Sequence, residues 1–590
     1  MNRPRTALLS TANVRVYIAA KLHPYSAWLD SAQLGSVRLY IGLAECYHIK
    51  YRVSKEPEWC DGLFTIEELI GKIGNDFIVE LECRNYIPPL QDIARNLKVL
   101  VVRKLYDPSQ LTVLSKHNQL EELNLTDNNF SGGLPDVFSN LSNLRKLALG
   151  ECMLTSLPES ISKLTQLEEL DLSKNNFSGE LPNVFGGFGN LRKLTLEECK
   201  LTFLPESFSK LTHLQELHLT CNDFSGSRPY VFSSFGNLRK LSLRKCLLTT
   251  LPKSISKLTQ LEELDLSKNL FSGGLPDVFD GLVKLRKLTL RGCKLTSLPK
   301  SLSKHNQLKE LNLTRNDFSG GLPDVFSNLS NIRKLLLGEC LLTSLPDSIS
   351  KLTQLEELDL SKNNFSCGLP NVFGGFGSLR KLTLEECKLT FLPKSFSKLT
   401  HLQELHLTCY DFRINLPDVF FVRFCNFRKL SLRKCLLTTL PKSISKLTQL
   451  EELDLSKNLF SGGLPDVFDG LVKLRKLTLR GCKLTSLPKS ISKLTQLEEI
   501  DLSKNTFSGG LPDVFSGLDK LRKLTLRLCR VTSLPKSFSK LTHLEELELS
   551  DNHFDNGLPD ELGDLENLKK LRILGCNLSF LPKRRVTSID

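Results

Sequence analysis

The amino-acid sequence predicts an α/β solenoid with a continuous parallel concave sheet of about 20 strands. Three observations predict this fold. A leucine-bearing segment recurs at nearly fixed spacing through most of the 590 residues. Its apolar positions alternate as they do on one face of a β-strand. No single copy can bury its own leucines, so neighbouring copies must stack on one another.

The repeated segment is L-x-x-L-x-L-x-x-(N/C)-x-(L/F), and we number its positions 1 to 11. Positions 4 and 6 are expected to point inward, and positions 3, 5 and 7 outward. Spacings alternate between 24 and 23, with one of 25 after Leu402, and a degraded copy begins at Leu97. Residues 97–590 are therefore interpreted as a leucine-rich-repeat horseshoe or superhelix. The twenty copies begin at Leu120, Leu144, Leu167, Leu191, Leu214, Leu238, Leu261, Leu285, Leu308, Ile332, Leu355, Leu379, Leu402, Phe427, Leu450, Leu474, Leu497, Leu521, Leu544 and Leu568.

Position 9 distinguishes two kinds of copy. Counting from Leu120, odd copies carry Asn there, as at Asn175 and Asn363, and even copies carry Cys. The Asn side chain is expected to satisfy buried backbone groups of the turn after each strand, and Cys is a small, weakly polar substitute. Tyr410 is the odd exception, beside the 25-residue spacing, which predicts a local irregularity.

A longer internal duplication favours an interaction function. Residues 241–301 and 430–490 are identical. A catalytic centre is rarely duplicated intact within one chain, whereas a stacked scaffold of variable length tolerates duplication easily.

Cysteine usage favours a cytoplasmic location. Ten of the 17 cysteines occupy position 9 of even copies. Consecutive members lie two strands apart, at about 9.6 Å, whereas disulfide-bonded residues need Cα atoms within about 7 Å. Free, buried thiols are therefore expected, which suits a reducing compartment. These cysteines are Cys152, Cys199, Cys246, Cys293, Cys340, Cys387, Cys435, Cys482, Cys529 and Cys576.

Asn-x-Ser/Thr triplets leave an extracellular alternative open. The repeat itself places Asn next to Phe-Ser or Leu-Ser/Thr, so these triplets arise without any role in glycosylation. They begin at Asn124, Asn129, Asn140, Asn176, Asn312, Asn328, Asn364 and Asn577.

Position 3 predicts a charge ladder along the sheet. It is Glu in all ten odd copies, from Glu122 to Glu546, and Lys in all ten even copies, from Lys146 to Lys570. On parallel strands each internal Lys lies between two Glu. We interpret this ladder as a solvated, self-neutralising surface that helps to fix register.

Two patches depart from this uniform pattern. At positions 5 and 7 most odd copies carry Asp-Ser or Asn-Thr, but two copies carry His-Thr. An acidic strand precedes each His strand and a basic strand follows it. We predict that these patches contact a partner. The first His patch is Glu197, Glu198, His218, Arg244 and Lys245, and the second His patch is Glu385, Glu386, His406, Arg433 and Lys434.

No constellation for catalysis, a metal or a cofactor emerges from the sequence. His213 and His218 are about 16 Å apart in an extended chain, too far for one ion. No HExxH, GxSxG or kinase motif set occurs. The chain carries 79 basic and 65 acidic residues, a net charge of +14. Nucleic acid is not an expected partner, because the Phe residues that could stack on bases occupy core positions. No apolar run is long enough to span a membrane.

Residues 1–96 do not follow the repeat. Alternating runs in NVRVYIA, SVRLYIG and FIVELEC predict strands, and TIEELIGKIG predicts a short helix. The region is interpreted as a small α+β domain or a cap for the first copy.

The repeats resemble two known types of leucine-rich repeat. Even copies, with CxLTSLPKSISKLTQLEELDLS, resemble the intracellular Ras-group-related and disease-resistance type, and odd copies, with NNFSGGLPDVFSNLSNL, resemble the plant receptor type. The first resemblance implies a non-enzymatic scaffold in intracellular signalling or immune-type recognition, with a small GTPase or another signalling protein as partner. A secreted or cell-surface recognition protein is the alternative.

Overall fold

The computed structural model describes residues 46–53, 60–65, 78–88, 90 and 96–576. The last of these ranges excludes residues 178–180, 227–229, 273, 367, 390, 409–415, 417–419, 509, 555–561 and 564. The described residues belong to two compact units, which divide between His218 and Leu219. The predicted segments NVRVYIA and SVRLYIG, nearly all of TIEELIGKIG, and the irregularity at Tyr410 lie outside the described residues.

The first unit contains a sheet in which β3 to β9 pair in parallel, each with the next along the chain. β1 pairs antiparallel with both β2 and β3. β3 contains most of the predicted FIVELEC strand, and β4 belongs to the degraded copy at Leu97. The strands are β1 Cys46–Val53, β2 Cys60–Thr65, β3 Ile78–Arg84, β4 Val99–Arg103, β5 Glu122–Asn124, β6 Lys146–Ala148, β7 Glu169–Asp171, β8 Lys193–Thr195 and β9 Glu216–His218.

The second unit contains β10 to β24, which also pair in parallel in chain order. The predicted leucine-rich-repeat solenoid is thereby confirmed in both units. The strands are β10 Lys240–Ser242, β11 Glu263–Asp265, β12 Lys287–Thr289, β13 Glu310–Asn312, β14 Lys334–Leu336, β15 Glu357–Asp359, β16 Lys381–Glu385, β17 Glu404–Thr408, β18 Lys429–Arg433, β19 Glu452–Asp454, β20 Lys476–Thr478, β21 Glu499–Asp501, β22 Lys523–Thr525, β23 Glu546–Glu548 and β24 Lys570–Arg572.

The core is built by the inward side chains of each strand. In β15, Leu358 at position 4 is fully buried between the half-exposed Glu357 and Asp359, and Leu360 at position 6 is also fully buried. In-register pairing places Leu358 beside Leu335 and Leu382 of the adjacent strands. Each copy therefore completes the burial of its neighbours, as expected for a stacked array.

Position 9 performs the predicted backbone role. The Oδ1 atom of Asn175 accepts hydrogen bonds from the backbone N–H groups of Cys152 and Leu154, at 3.1 and 2.9 Å. Its Nδ2 group donates to the carbonyls of Leu149 and Leu172, at 2.8 and 2.7 Å. All four bonds are buried, so one amide satisfies four backbone groups that water cannot reach.

The position-9 cysteines are free thiols with a similar but weaker role. The nine from Cys152 to Cys529 are buried, as predicted, whereas Cys576 is half-buried. The Cys152 Sγ donates to the Leu125 carbonyl at 3.0 Å. Burial raises the pKa of Cys152 to about 12 and that of Cys293 to about 11. These thiols are therefore protonated and weakly nucleophilic at neutral pH.

Short 3-10 helices connect the strands. The segment Lys442–Lys446 follows Pro441, which has no N–H to satisfy, and ends with the Leu447 N–H bonded to the Ile444 carbonyl at 3.0 Å. The following odd copy packs Gly470 against this segment so closely that a Cβ would lie 1.8 Å from the Ser445 carbonyl oxygen. Glycine is therefore required at this contact for steric reasons.

His305 occupies a core position that is leucine in other copies, such as Leu258 and Leu352. It is 4% exposed, its ring meets the edge of Phe279 at 6.3 Å, and its Nε2 atom has no hydrogen-bond partner among the described residues. Burial lowers the pKa of His305, and the backbone carbonyls of Leu282 and Phe279 oppose the shift only in part. The neutral form of the His305 imidazole is therefore favoured in the folded protein.

Replacing His305 by Leu is expected to raise the free energy of unfolding by about 1 kcal/mol or more, because an unpaired buried nitrogen is removed. The substitution should also reduce the loss of stability in acid. Since the folded pKa is depressed, the unfolded chain binds more protons, and stability falls as the pH drops below the unfolded value of about 6.5. Melting temperatures of both proteins between pH 7.5 and 5 test this; equal slopes would contradict it.

Candidate partner-binding face

The side chains at positions 3 and 5 form one solvent-facing surface in each unit, which we call the strand face. Its residues are half-exposed or exposed, as in β7 and β12, whereas position 4 is buried. The sequence creates this face because each strand places a buried leucine at position 4 between two outward residues, at positions 3 and 5. Any partner that meets the sheet meets these side chains first.

The predicted charge ladder is formed on the strand face. Lys334 and Lys381 approach Glu357 from opposite sides, at 2.8 and 3.5 Å. Burial tends to raise the pKa of Glu357, but hydrogen bonds and attraction from both lysines outweigh it and hold the pKa below its usual value. The carboxylate is therefore shared between two neighbouring strands.

Similar pairs recur elsewhere in both units. A hydrogen bond from Lys429 to Glu452, followed by their mutual attraction, raises the pKa of Lys429. Exposed pairs of this kind each contribute about 0–1 kcal/mol, so the ladder neutralises the face and favours register more than it stabilises. The distances are 2.9 Å for Lys146–Glu122, 3.4 Å for Lys287–Glu310, 2.8 Å for Lys429–Glu452, 2.9 Å for Lys476–Glu499 and 3.1 Å for Lys523–Glu546.

The common Asp-Ser copies are also satisfied within themselves. The Asp359 carboxylate accepts from the backbone N–H of Ser361 at 2.9 Å and from its hydroxyl at 2.6 Å. The same arrangement recurs at Asp171 and Asp454. These copies therefore offer fewer acceptors to a partner than their composition implies.

The second His patch lies entirely in the second unit. His406 at position 5 is paired between Thr383 and Ser431, and Thr408 at position 7 is paired between Glu385 and Arg433. The strands β16, β17 and β18 have five residues each, whereas the neighbouring β15 and β19 have three. The structure therefore brings Glu385, His406 and Arg433 onto three consecutive strands in the predicted order.

Both patch histidines are half-buried and lie near carboxylates. His218 has its Nε2 atom 3.7 Å from Glu216 and its Nδ1 atom 4.0 Å from Glu197, and His406 Nε2 lies 3.9 Å from Glu404. Each imidazole can therefore donate toward an acid or present a nitrogen to a partner. In the first His patch, Arg244 and Lys245 belong to the second unit, where both are exposed.

The structure corrects the position of four predicted residues. They occupy position 8 and lie in the turn beyond the strand, with left-handed φ angles between 54° and 58°, instead of on the strand face. The left-handed backbone ends the strand and redirects the side chain. The four are Glu198, Lys245, Glu386 and Lys434.

Two grooves on the strand face were not predicted. One, of about 320 Å³ in the first unit, is lined by Val99, Val101, Ala148 and neighbouring polar side chains. The other, of about 220 Å³ in the second unit, is lined by residues of β22 to β24, including Glu548 and Arg572. The signal for the first was present in the sequence, because Val101 and Ala148 are small and apolar at position 5, where every other copy except that of Leu336 carries a polar or charged residue.

The described residues contain no group of three or more His, Cys, Asp and Glu side chains that could hold a metal ion. His213 is exposed ahead of its strand and Cys221 is half-buried beyond it. In the same part of the chain, no helix combines the length and apolar character needed to cross a bilayer.

Two family profiles match the chain. The profile described as leucine-rich repeat region matches residues 101–241 and 465–588, and that described as leucine rich repeat matches 236–295, 306–365 and 425–484. Both describe the repeat itself and do not distinguish an intracellular from a receptor type. No curated protein sequence matches the chain.

Several solved structures share the fold. A leucine-rich-repeat protein of Leptospira interrogans is 30% identical, with a TM-score of 0.51, over 73% of this chain and 95% of that one. A plant peptide hormone receptor, RGFR1 in complex with RGF2, is 24% identical, with a TM-score of 0.51, over 84% and 89%. TLR13 in complex with ssRNA13 is 21% identical, with a TM-score of 0.51, over 85% and 92%.

The last two likenesses concern the fold alone, and their ligands, a peptide hormone and an RNA, differ in chemistry. The first, together with the repeat profiles and the stacked strands of both units, decides the family. The chain belongs to the leucine-rich-repeat proteins, a class of interaction modules that act in protein–protein recognition.

Proposed function

We propose that this chain is an intracellular scaffold in signalling or immune-type recognition, which binds a protein partner on its concave strand face. The two His patches are the proposed contacts. The observation that carries this proposal is a contrast between side chains of the sheet. Ladder and Asp-Ser side chains are satisfied by one another, whereas Glu385 and Arg433, which flank Thr408 at position 7 next to His406, are exposed. A partner gains most where polar side chains are not already paired.

The buried thiols support the intracellular setting. Nine position-9 cysteines are free, and each is held near a backbone carbonyl of a neighbouring strand. A chain that folds with so many reduced cysteines in its core suits a reducing compartment. By the family resemblance, a small GTPase or another signalling protein is the proposed class of partner.

Capture of partners from a cytoplasmic extract tests the His patches. The His218→Ala/His406→Ala variant is expected to lose proteins that the wild type retains, identified by quantitative mass spectrometry. The matched control is His213→Ala/His401→Ala, which removes two exposed histidines that lie ahead of the same strands. Partner sets that are identical for wild type and both variants would remove the His patches from the proposal.

The alternative is a secreted or cell-surface recognition protein. The observation that favours it is the exposure of Asn129, Asn140 and Asn328, each of which begins an acceptor triplet. Glycopeptide mapping of the protein expressed in a secretory eukaryotic host shows whether these three triplets are glycosylated efficiently or not at all. Glycans on the endogenous protein would overturn the intracellular proposal; their absence there, with partner capture retained, would support it.

A further inference from the structure

Positions 7, 8 and 10 lie just beyond the strand face, at the carboxyl ends of the strands. In the second unit this border carries a run of cations within four consecutive copies. We call this run the basic edge, and its five residues are all exposed. They are Arg433, Lys457, Arg480, Lys483 and Lys504.

The basic edge is continuous along the stack. The backbone N–H of Lys457 donates to the Arg480 carbonyl at 2.8 Å, and that of Lys504 donates to the Arg527 carbonyl at 2.8 Å. The residues between the cations are small, namely Ser456, Gly481 and Ser503. Nothing bulky therefore separates one cation from the next along this border.

Within the described part of the chain, no residue of the basic edge has an acidic partner within 4 Å, in contrast with the ladder lysines. The acids at position 5 of the same strands, Asp454 and Asp501, accept hydrogen bonds from the backbone of Ser456 and Ser503. The cations therefore repel one another. The pKa of Lys457 is lowered first by repulsion from Arg433 and then by Lys434, with smaller effects of burial, Arg480 and Lys504.

Two comparisons mark this run as distinct. Residues 241–301 repeat the same sequence and carry four equivalent exposed cations without an acidic partner within 4 Å among the described residues, namely Arg244, Lys268, Arg291 and Lys294. The equivalent of Lys504, however, is Arg315, which is paired with Glu339 at 3.0 Å. Beyond the basic edge, Arg527 is likewise paired with Asp551 at 2.8 Å. The basic edge therefore differs from its duplicate in its fifth cation, Lys504, which has no acidic partner within 4 Å among the described residues.

A second, independent observation lies at the end of the run. Leu528 occupies position 8 with a left-handed φ of 58° and is 42% exposed. Left-handed backbone costs a residue with a Cβ about 1–2 kcal/mol, and Gly481 and Gly292 fill the equivalent position without that cost. The exposed part of this leucine offers an apolar contact beside the cations.

The spacing of the cations fits an extended peptide. Arg433 and Arg480 come from strands two apart, about 9.6 Å. In an extended polyproline II segment, side chains three residues apart lie on one face, about 9.3 Å apart. An acidic side chain at every third residue therefore meets successive cations. Single-stranded nucleic acid is a poorer match, because positions 7, 8 and 10 between 433 and 530 carry no aromatic residue on which bases could stack.

We propose that the basic edge, ending at Leu528, docks an extended acidic segment of a protein partner. Because Arg433 also belongs to the second His patch, this inference rests on the proposed function and names the chemistry of the partner there. The patch contacts the folded partner, and the basic edge holds an acidic stretch of it that also carries an apolar side chain.

The test is fluorescence anisotropy with the full chain and a fluorescein-labelled 15-residue peptide, in which every third residue is Glu, the others are Ser and Gly, and both termini are Leu. The Lys457→Gln/Arg480→Gln/Lys483→Gln variant is expected to bind it about tenfold or more weakly at low salt, with a shallower salt dependence. The matched control, Lys446→Gln/Lys489→Gln/Lys493→Gln, removes three exposed lysines from the 3-10 segments and should bind as wild type does. Equal weakening by both variants would overturn the proposal, because net charge alone would then explain binding.

Leu528→Gly separates a docking role from a structural one. Relief of the left-handed strain should leave the melting temperature equal or raised, while peptide affinity falls about threefold or more. Unchanged affinity would exclude Leu528 from the docking surface. A 15-nucleotide oligothymidine and vesicles containing phosphatidylserine serve as competing ligands. If either binds more tightly than the peptide, and if that binding depends on the same three cations, the acidic-peptide assignment is contradicted.

The outcomes are distinguishable from failure of the proposed function. If the peptide does not bind while partner capture still depends on His218 and His406, the basic-edge inference falls and the proposed function stands. If peptide binding depends on the basic edge while partner capture is unaffected by substitution of His218 and His406, the assignment of the His patches is wrong and the docking of an acidic segment on the basic edge stands.

Discussion

Replacing Asn458 by Ala is expected to lower the free energy of unfolding of the second unit by at least about 3 kcal/mol. The Asn458 amide is 1% exposed, and it accepts from the N–H groups of Cys435 and Leu437, at 3.0 and 3.1 Å. It donates to the carbonyls of Leu432 and Leu455, at 2.8 and 2.6 Å. Alanine leaves four buried backbone groups without partners, and each such group costs about 1–3 kcal/mol.

The full sum is not expected, because water will enter the space that the amide leaves. Urea denaturation measures the effect, and hydrogen exchange should show faster exchange at Cys435 and Leu437. The control is Asn331→Ala, an exposed amide that makes one bond to the Asn306 carbonyl at 2.7 Å and should change stability by less than about 0.5 kcal/mol. Comparable losses for both variants would contradict the assigned role of position 9.

Gly470→Ala is expected to destabilise the same unit by about 3 kcal/mol or more. The added Cβ would lie 1.8 Å from the Ser445 carbonyl oxygen and 2.7 Å from its carbon. The 3-10 segments Lys442–Lys446 and Phe468–Gly470 must therefore separate. Overpacking in a close-packed contact costs about 1–3 kcal/mol, and more when backbone blocks backbone. The midpoint of urea denaturation measures the change.

Gly462→Ala provides the comparison within the same copy, since nothing lies within 4 Å of the added carbon. Its stability should equal or slightly exceed that of the wild type, because alanine restricts the unfolded chain. If Gly470→Ala were as stable as Gly462→Ala, the close approach of the 3-10 segments would be wrong. The equivalent contacts at Gly187, Gly281, Gly375 and Gly517 should respond as Gly470 does.

The repeated part of the fold was predictable because its information is local and redundant. Period-2 alternation at positions 4 and 6 identifies the buried leucines, and the spacing of copies determines which strand pairs with which. The hydrogen-bonding role of Asn175 also followed from residue type, since a buried amide must be satisfied. Copying one short unit gives the same evidence many times.

The remaining features depend on backbone geometry that residue types do not encode. Position 8 adopts left-handed φ even where it is Lys174 or Glu386, so nothing in its side chain revealed the turn. The packing of Gly470 on Ser445 depends on the distance between two connecting segments. The composition shows that basic residues are in excess. Only the structure distinguishes a paired cation, such as Arg315 beside Glu339, from Lys457, which lies among other cations.

The alternating ladder restricts how such a chain can change in length. Glu310 faces Lys287 and Lys334 only because copies of opposite type adjoin. Inserting or deleting one copy would place like charges side by side and would also disturb the alternation of Asn and Cys at position 9. Loss or gain of two adjacent copies leaves both patterns intact. Such an array should therefore gain or lose copies two at a time, and natural variants should differ in length by multiples of about 47 residues.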